Sequence, residues 1–167
     1  MYQNYRPFDA EIYIMNLYKS IGINEPYQIK ETRIAYELNV NLTYTKSRSY
    51  SYERRGYKAI NIFNGISAPQ QRERFFHELG HILRHRGSQV KMPKAFLEWQ
   101  EFDSTRFSRY ACLPHFMLMK YDLNSKYIIN QLSQDFKVPT NLCFNRLNQI
   151  QNNSVENVLL SGRTIRF

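Results

Sequence analysis

The chain has 167 residues, 43% of them hydrophobic, which suits one ordinary domain, provides enough apolar mass for a core and excludes wholesale disorder. Lys and Arg outnumber Asp and Glu by 23 to 14, and the resulting charge of +9 favours acidic or nucleic-acid neighbours without bearing on the fold. Two cysteines, Cys112 and Cys143, are too few for a disulfide-stapled secreted domain and too far apart for a CxxC metal clip.

The N-terminus, MYQNYRPFDAEIYIM, carries a Pro and acids where a secretory segment would be apolar. No run reaches the roughly 18 apolar residues of a membrane span. The expectation is a soluble, cytoplasmic protein.

In chain order, Pro7 to Ile21 has helical spacing (Phe8, Ile12, Met15, Tyr18) and ends at Gly22, a residue suited to closing a helix. Residues 27–39 are predicted as a second helix. Asn41–Thr45 and Tyr57–Phe63 are predicted strands, the second followed by an Asn64-Gly65 turn. The intervening TKSRSYSYERRG carries four basic residues and two tyrosines. It reads as a solvated loop, with a hairpin tip touching nucleic acid or a peptide as the alternative. From Pro69 the pattern is helical through Arg86, with Gly87 as its end. Pro93 opens a helix over about Lys94 to Leu113, stopped by Pro114. Ser125 to Gln151 reads as two short helices around Val138-Pro139. Helices around a small N-terminal sheet make an α+β domain, with one domain over 1–167 and the helical pair beginning near residue 125.

The chemistry concentrates in RFFHELGHILRH. His77, Glu78 and His81 form HExxH, and residues four apart on a helix project the same way, so two imidazoles can hold one Zn²⁺. Glu78, beside the first of them, is placed to take a proton from metal-bound water and pass it to a leaving amine. Chance supplies such a pattern in roughly half a percent of chains of this composition. At about 100° per residue from Phe75, Leu79, Ile82 and Leu83 stay within about 80°, while His77, His81 and His85 form a separate stripe near 200–280°. His85 is read as a non-ligand.

Two histidines need a third protein ligand, and the following helix offers Glu98, Glu101 and Asp103. Trp99, Phe102, Phe107, Tyr110 and Leu113 are expected to form one bulky face. Glu101 shares the opposite stripe with Ser104, Thr105, Ser108, Ala111 and Cys112, where small residues permit close helix approach. Asp103 falls about 160° away, among the aromatics, so helical phase selects Glu101.

The stretch AINIFNG…QQRERFFHELGHILRH, followed by EFDSTRFSRYACLP, resembles the ImmA/IrrE-type metallopeptidases in the order Arg-x-x-Phe-x-His-Glu-x-x-His, then Glu-x-x-small-x-x-Phe-small and an apolar-Pro pair. The likeness runs from about Ala59 to Met117. It implies a zincin-like, minimal gluzincin fold, zinc on His77, His81 and Glu101, and Glu78 as general base. It also implies hydrolysis of a protein substrate, a helix-turn-helix repressor of a phage or mobile element. Ser104 and Ser108 stand where alanines are common, and Arg109-Tyr110-Ala111-Cys112 replaces an aliphatic run.

Residues 128–150 also resemble a helix-turn-helix. Asn141, Asn145 and Arg146 would be its base-reading groups, although a helical pair completing the peptidase domain is the preferred reading. The rival function is a non-catalytic DNA-binding or repressor-binding regulator; specific nucleic-acid binding is not expected. Tyr110, Tyr121, Arg106 and His115 are all candidates to support an oxyanion, and nothing in the sequence chooses among them.

Overall fold

The computed structural model describes residues 5–85 and 93–162. Helix α1 (Asp9–Ser20) ends where Gly22 takes a positive φ of 69°, a conformation open to glycine because it lacks a Cβ. The predicted second helix is broken in two: a 3₁₀ turn (Pro26–Gln28), then α2 (Glu31–Glu37). Ile29 between them is extended and fully buried, and its carbonyl accepts a hydrogen bond from Arg72 at 2.8 Å. A tertiary contact overrides local helical spacing here.

Three strands follow: β1 (Val40–Thr45), β2 (Tyr50–Arg54) and β3 (Tyr57–Phe63). They form a mixed sheet of order β1-β3-β2, with β3 parallel to β1 and antiparallel to β2. Strand β2 corrects the reading of residues 45–56 as a solvated loop. Its Tyr-Ser-Tyr alternation is a strand signal, and Arg55 and Gly56, both at positive φ, close the two-residue turn to β3.

Ile60 and Ile62 of β3 bury one sheet face against α3 (Ala68–Arg84). Ser67 and Gln70 cap that helix reciprocally, with Pro69 in its first turn. Of its predicted apolar stripe, Phe75, Leu79 and Ile82 are buried, joined by Phe76, while Leu83 is partly buried against the core. The helix ends at Arg84, with His85 already extended, short of the expected Arg86; Arg86 and Gly87 themselves lie outside the described residues.

Helix α4 (Lys94–Cys112) packs along α3 more extensively than any other pair of elements meets. The expected single bulky face is corrected. Phe107, Tyr110 and Leu113 are buried, but Trp99 and Phe102 are 51% and 61% exposed. The face toward α3 combines Ser104, Ser108 and Ala111 with Phe107, because Gly80 of α3 leaves a notch. A Cβ at Gly80 would lie 3.1 Å from the Phe107 ring.

Short α5 (His115–Leu118) leads to α6 (Ile128–Phe136) and α7 (Thr140–Gly162), which runs well past the expected Gln151. Both are tied to the rest of the molecule. Arg72 donates to the Phe136 carbonyl at 2.5 Å and pairs with Glu31 at 2.6 Å, while Arg146 is fully buried against Glu11, Tyr5 and the Leu113 carbonyl. Arg146 is therefore withdrawn as a base-reading group. Its charge is spent inside the protein, and the exposed face of α7 at Asn141, Phe144 and Asn145 carries no cation.

Candidate metal centre

His77 and His81 sit one turn apart on α3, with their Nε2 atoms 3.2 Å from each other. Glu101 reaches them from α4, one carboxylate oxygen 3.2 Å from each Nε2. Every ligand atom of this triad lies within 4.8 Å of the others.

A metal ion fits this arrangement. Ligand atoms on a tetrahedron with bonds of about 2.0–2.1 Å stand about 3.3 Å apart, close to the separations seen. Both imidazoles are held below their usual proton affinity, chiefly by burial, with Glu101 opposing the effect. They therefore favour the neutral form, in which a ring nitrogen offers its lone pair. The Glu101 side chain is 59% exposed, so the cluster opens to solvent on that side.

Glu78 is only 7% exposed, and burial pushes its carboxyl up from the ordinary carboxylate range. Ser51 of β2 opposes that shift through hydrogen bonding from its hydroxyl and backbone, and Arg74 opposes it by charge. Ser51 is not among the residues that the sequence singles out, because the segment around it reads as a loop. Its signal was the two-residue period of Tyr50-Ser51-Tyr52.

The other acids of α4 are engaged elsewhere. Asp103, expected amid the aromatics away from the small-residue stripe, is instead buried against α3. It accepts a bidentate pair from Arg84 at 2.6 and 3.1 Å, and lies 3.4 Å from His85. Glu101 and Asp103 flank the α3-facing stripe from its two sides, so both reach α3, on different residues. Glu98 is exposed beside Lys94. His85 packs edge-on against Trp99 with ring centroids 5.4 Å apart and is not in the triad.

None of the four oxyanion candidates contacts the triad among the described residues. Tyr110 is held by Gln149 and Arg106, Tyr121 donates to Asp135 at 3.0 Å, Arg106 lies over Phe8 and Phe102, and His115 stacks on Tyr5.

Comparison with known proteins places these elements in context. The peptidase family described as IrrE N-terminal-like domain matches residues 31–148, which run from α2 into α7. The chain is 35% identical over 113 residues to the phage-like element PBSX protein XkdA of Bacillus subtilis (strain 168), covering 68% of this chain and 57% of that protein. It is also 32% identical over 139 residues to the uncharacterized protein YqaB of the same organism, covering 82% of this chain and 81% of YqaB. The match thus spans little more than half the length of XkdA and most of YqaB.

Proposed function

Because the chain belongs to the peptidase family of the IrrE N-terminal-like domain, we propose that it is a zinc-dependent endopeptidase of gluzincin type. The observation that carries this reading is the convergence of His77, His81 and Glu101 beside the buried carboxylate of Glu78.

In this reading His77, His81 and Glu101 hold the ion. Zinc, when bound, supplies Lewis acidity, making water acidic near neutral pH and polarising a carbonyl. The chain's own residues do the rest. Glu78 accepts the proton of the attacking water on its carboxylate and delivers it to the leaving nitrogen. Burial raises the proton affinity of its carboxyl, which suits it to accept that proton. Strand β2 is a sheet edge whose inner face presents Ser51 to Glu78, and an extended peptide adding to that edge would lie along the site.

The substrate proposed is a helix-turn-helix repressor of a phage or mobile element. The likeness to a phage-like element protein supports this choice. The C-terminal helices are proposed as part of the peptidase unit, supported by the bonds of Arg72 and Arg146 across it. A cytoplasmic setting accords with two buried free cysteines and with the lack of any described helix long and apolar enough to cross a membrane.

The test is to incubate the purified chain with repressors encoded beside its gene and to follow fragments by mass spectrometry. Cleavage that a chelator abolishes and zinc restores is expected. Cleavage unaffected by the chelator and by Glu78→Gln would overturn the reading.

A further inference from the structure

Ser51 of β2 and Ile60 of β3 pair on the face toward α3, so their sequence neighbours point outward. On that outer face Tyr50, Tyr52 and Arg54 stand opposite Asn61, Ala59 and Tyr57. Strand β1 adds Asn41 and Thr43, beside Ala59 and Asn61. Tyr50, Tyr52 and Tyr57 are 49%, 44% and 55% exposed, with small or short side chains between them. The Tyr52 and Tyr57 rings are 6.4 Å apart and tilted by 60°, so neither covers the face of the other.

Cations lie at both ends of this aromatic row. Lys46 and Arg48 belong to the loop that crosses Asn61, whose side-chain amide donates to the Arg48 carbonyl at 3.2 Å. Arg54 and Arg55 belong to the opposite end, at the turn into β3. Among the described residues none of these four forms an ion pair. Glu53, the one acid in this stretch, lies on the other face, opposite Lys58.

We propose that this outer face, formed by Tyr50, Tyr52 and Tyr57 with Lys46, Arg48, Arg54 and Arg55, binds single-stranded nucleic acid without sequence preference. Charge complementarity selects a polyanion, and the rings select which one. An unpaired strand exposes base faces that stack on aromatic side chains, whereas a duplex keeps its base faces inside its own stack. Three rings on a sheet suit two or three bases, with phosphates reaching the cations at either end. The face is turned away from Glu78, so the ligand leaves the peptidase site free, and the inference stands independently of the proposed reaction.

The experiment measures fluorescence anisotropy of labelled oligothymidine and oligouridine, each about 15 nucleotides, and of a duplex of equal length, with the full-length chain. Each single strand is expected to bind at least about fivefold more tightly than the duplex at physiological salt. Tyr52→Ala with Tyr57→Ala should weaken binding about tenfold or more, while the corresponding pair of Phe substitutions retains it. Arg54→Gln with Arg55→Gln should lower the salt slope by about 1.4. Duplex binding as tight as single-strand binding to the unmodified chain overturns the proposal. So does wild-type affinity in a folded ring-deleted variant.

Discussion

At the scale of single residues, each carboxylate around the cluster has a different assignment, and each assignment has its own test. Glu78→Gln preserves shape but cannot accept a proton; the variant should keep its fold and bound zinc while peptidase turnover falls by at least about a hundredfold. Glu101→Ala removes one side of the triad and should strip the metal, as read by elemental analysis of the purified protein. Asp103→Ala should keep the metal but lose stability, on the order of 2–3 kcal/mol in denaturant melts, because it leaves the partly buried Arg84 unpaired. Zinc lost from Asp103→Ala and kept in Glu101→Ala would reverse the assignment.

Between elements, the contact of α3 with α4 sets the distance across which Glu101 must reach. Gly80 permits it: a helix normally gains about 1 kcal/mol when Gly becomes Ala, yet here the added methyl would press on Phe107. Phe107 is 1% exposed and has little room to yield. Gly80→Ala should therefore destabilise the protein by about 1–2 kcal/mol and reduce zinc retention. In a Phe107→Leu background the same change should be neutral or stabilising. A double-mutant cycle of thermal melts measures this coupling; additive effects would show that the notch is not what sets the helix spacing.

Across the whole molecule, helices α1 and α7 are joined at Arg146. It is fully buried against Glu11 and Tyr5, and the neighbouring His115 stacks on Tyr5 with ring centroids 4.5 Å apart. Arg146→Ala would leave Glu11 as a buried, unpaired charge, and a loss of roughly 3–5 kcal/mol is expected. His115 gives a pH signature. Burial lowers its folded-state pKa below the ordinary histidine value of 6.5. The unfolded chain therefore takes up the proton first, so stability falls as pH drops below 6.5 and levels off beneath the folded value. His115→Phe should remove part of the stability loss between about pH 7 and pH 5 in metal-free protein. An unchanged pH profile would place the effect in the other buried histidines.

The candidate site was legible in the sequence because it is local. HExxH puts two imidazoles and a carboxylate within two turns of one helix, and helical periodicity sets their common face wherever that helix packs. The buried stripe of α3 and the strand β3 were legible for the same reason. What depended on distant partners was not. Ile29 is extended because Arg72 and the core claim it, β2 is a strand because β3 lies alongside it, and Arg146 is internal because Glu11 awaits it more than a hundred residues away. Helical phase selected Glu101 but misplaced Asp103 and Phe107, since a wheel gives angles within one helix and not the notch in its neighbour. Gly80 made that notch, and with it tertiary packing decided that one acid of α4 reaches the histidines while the other pairs with Arg84.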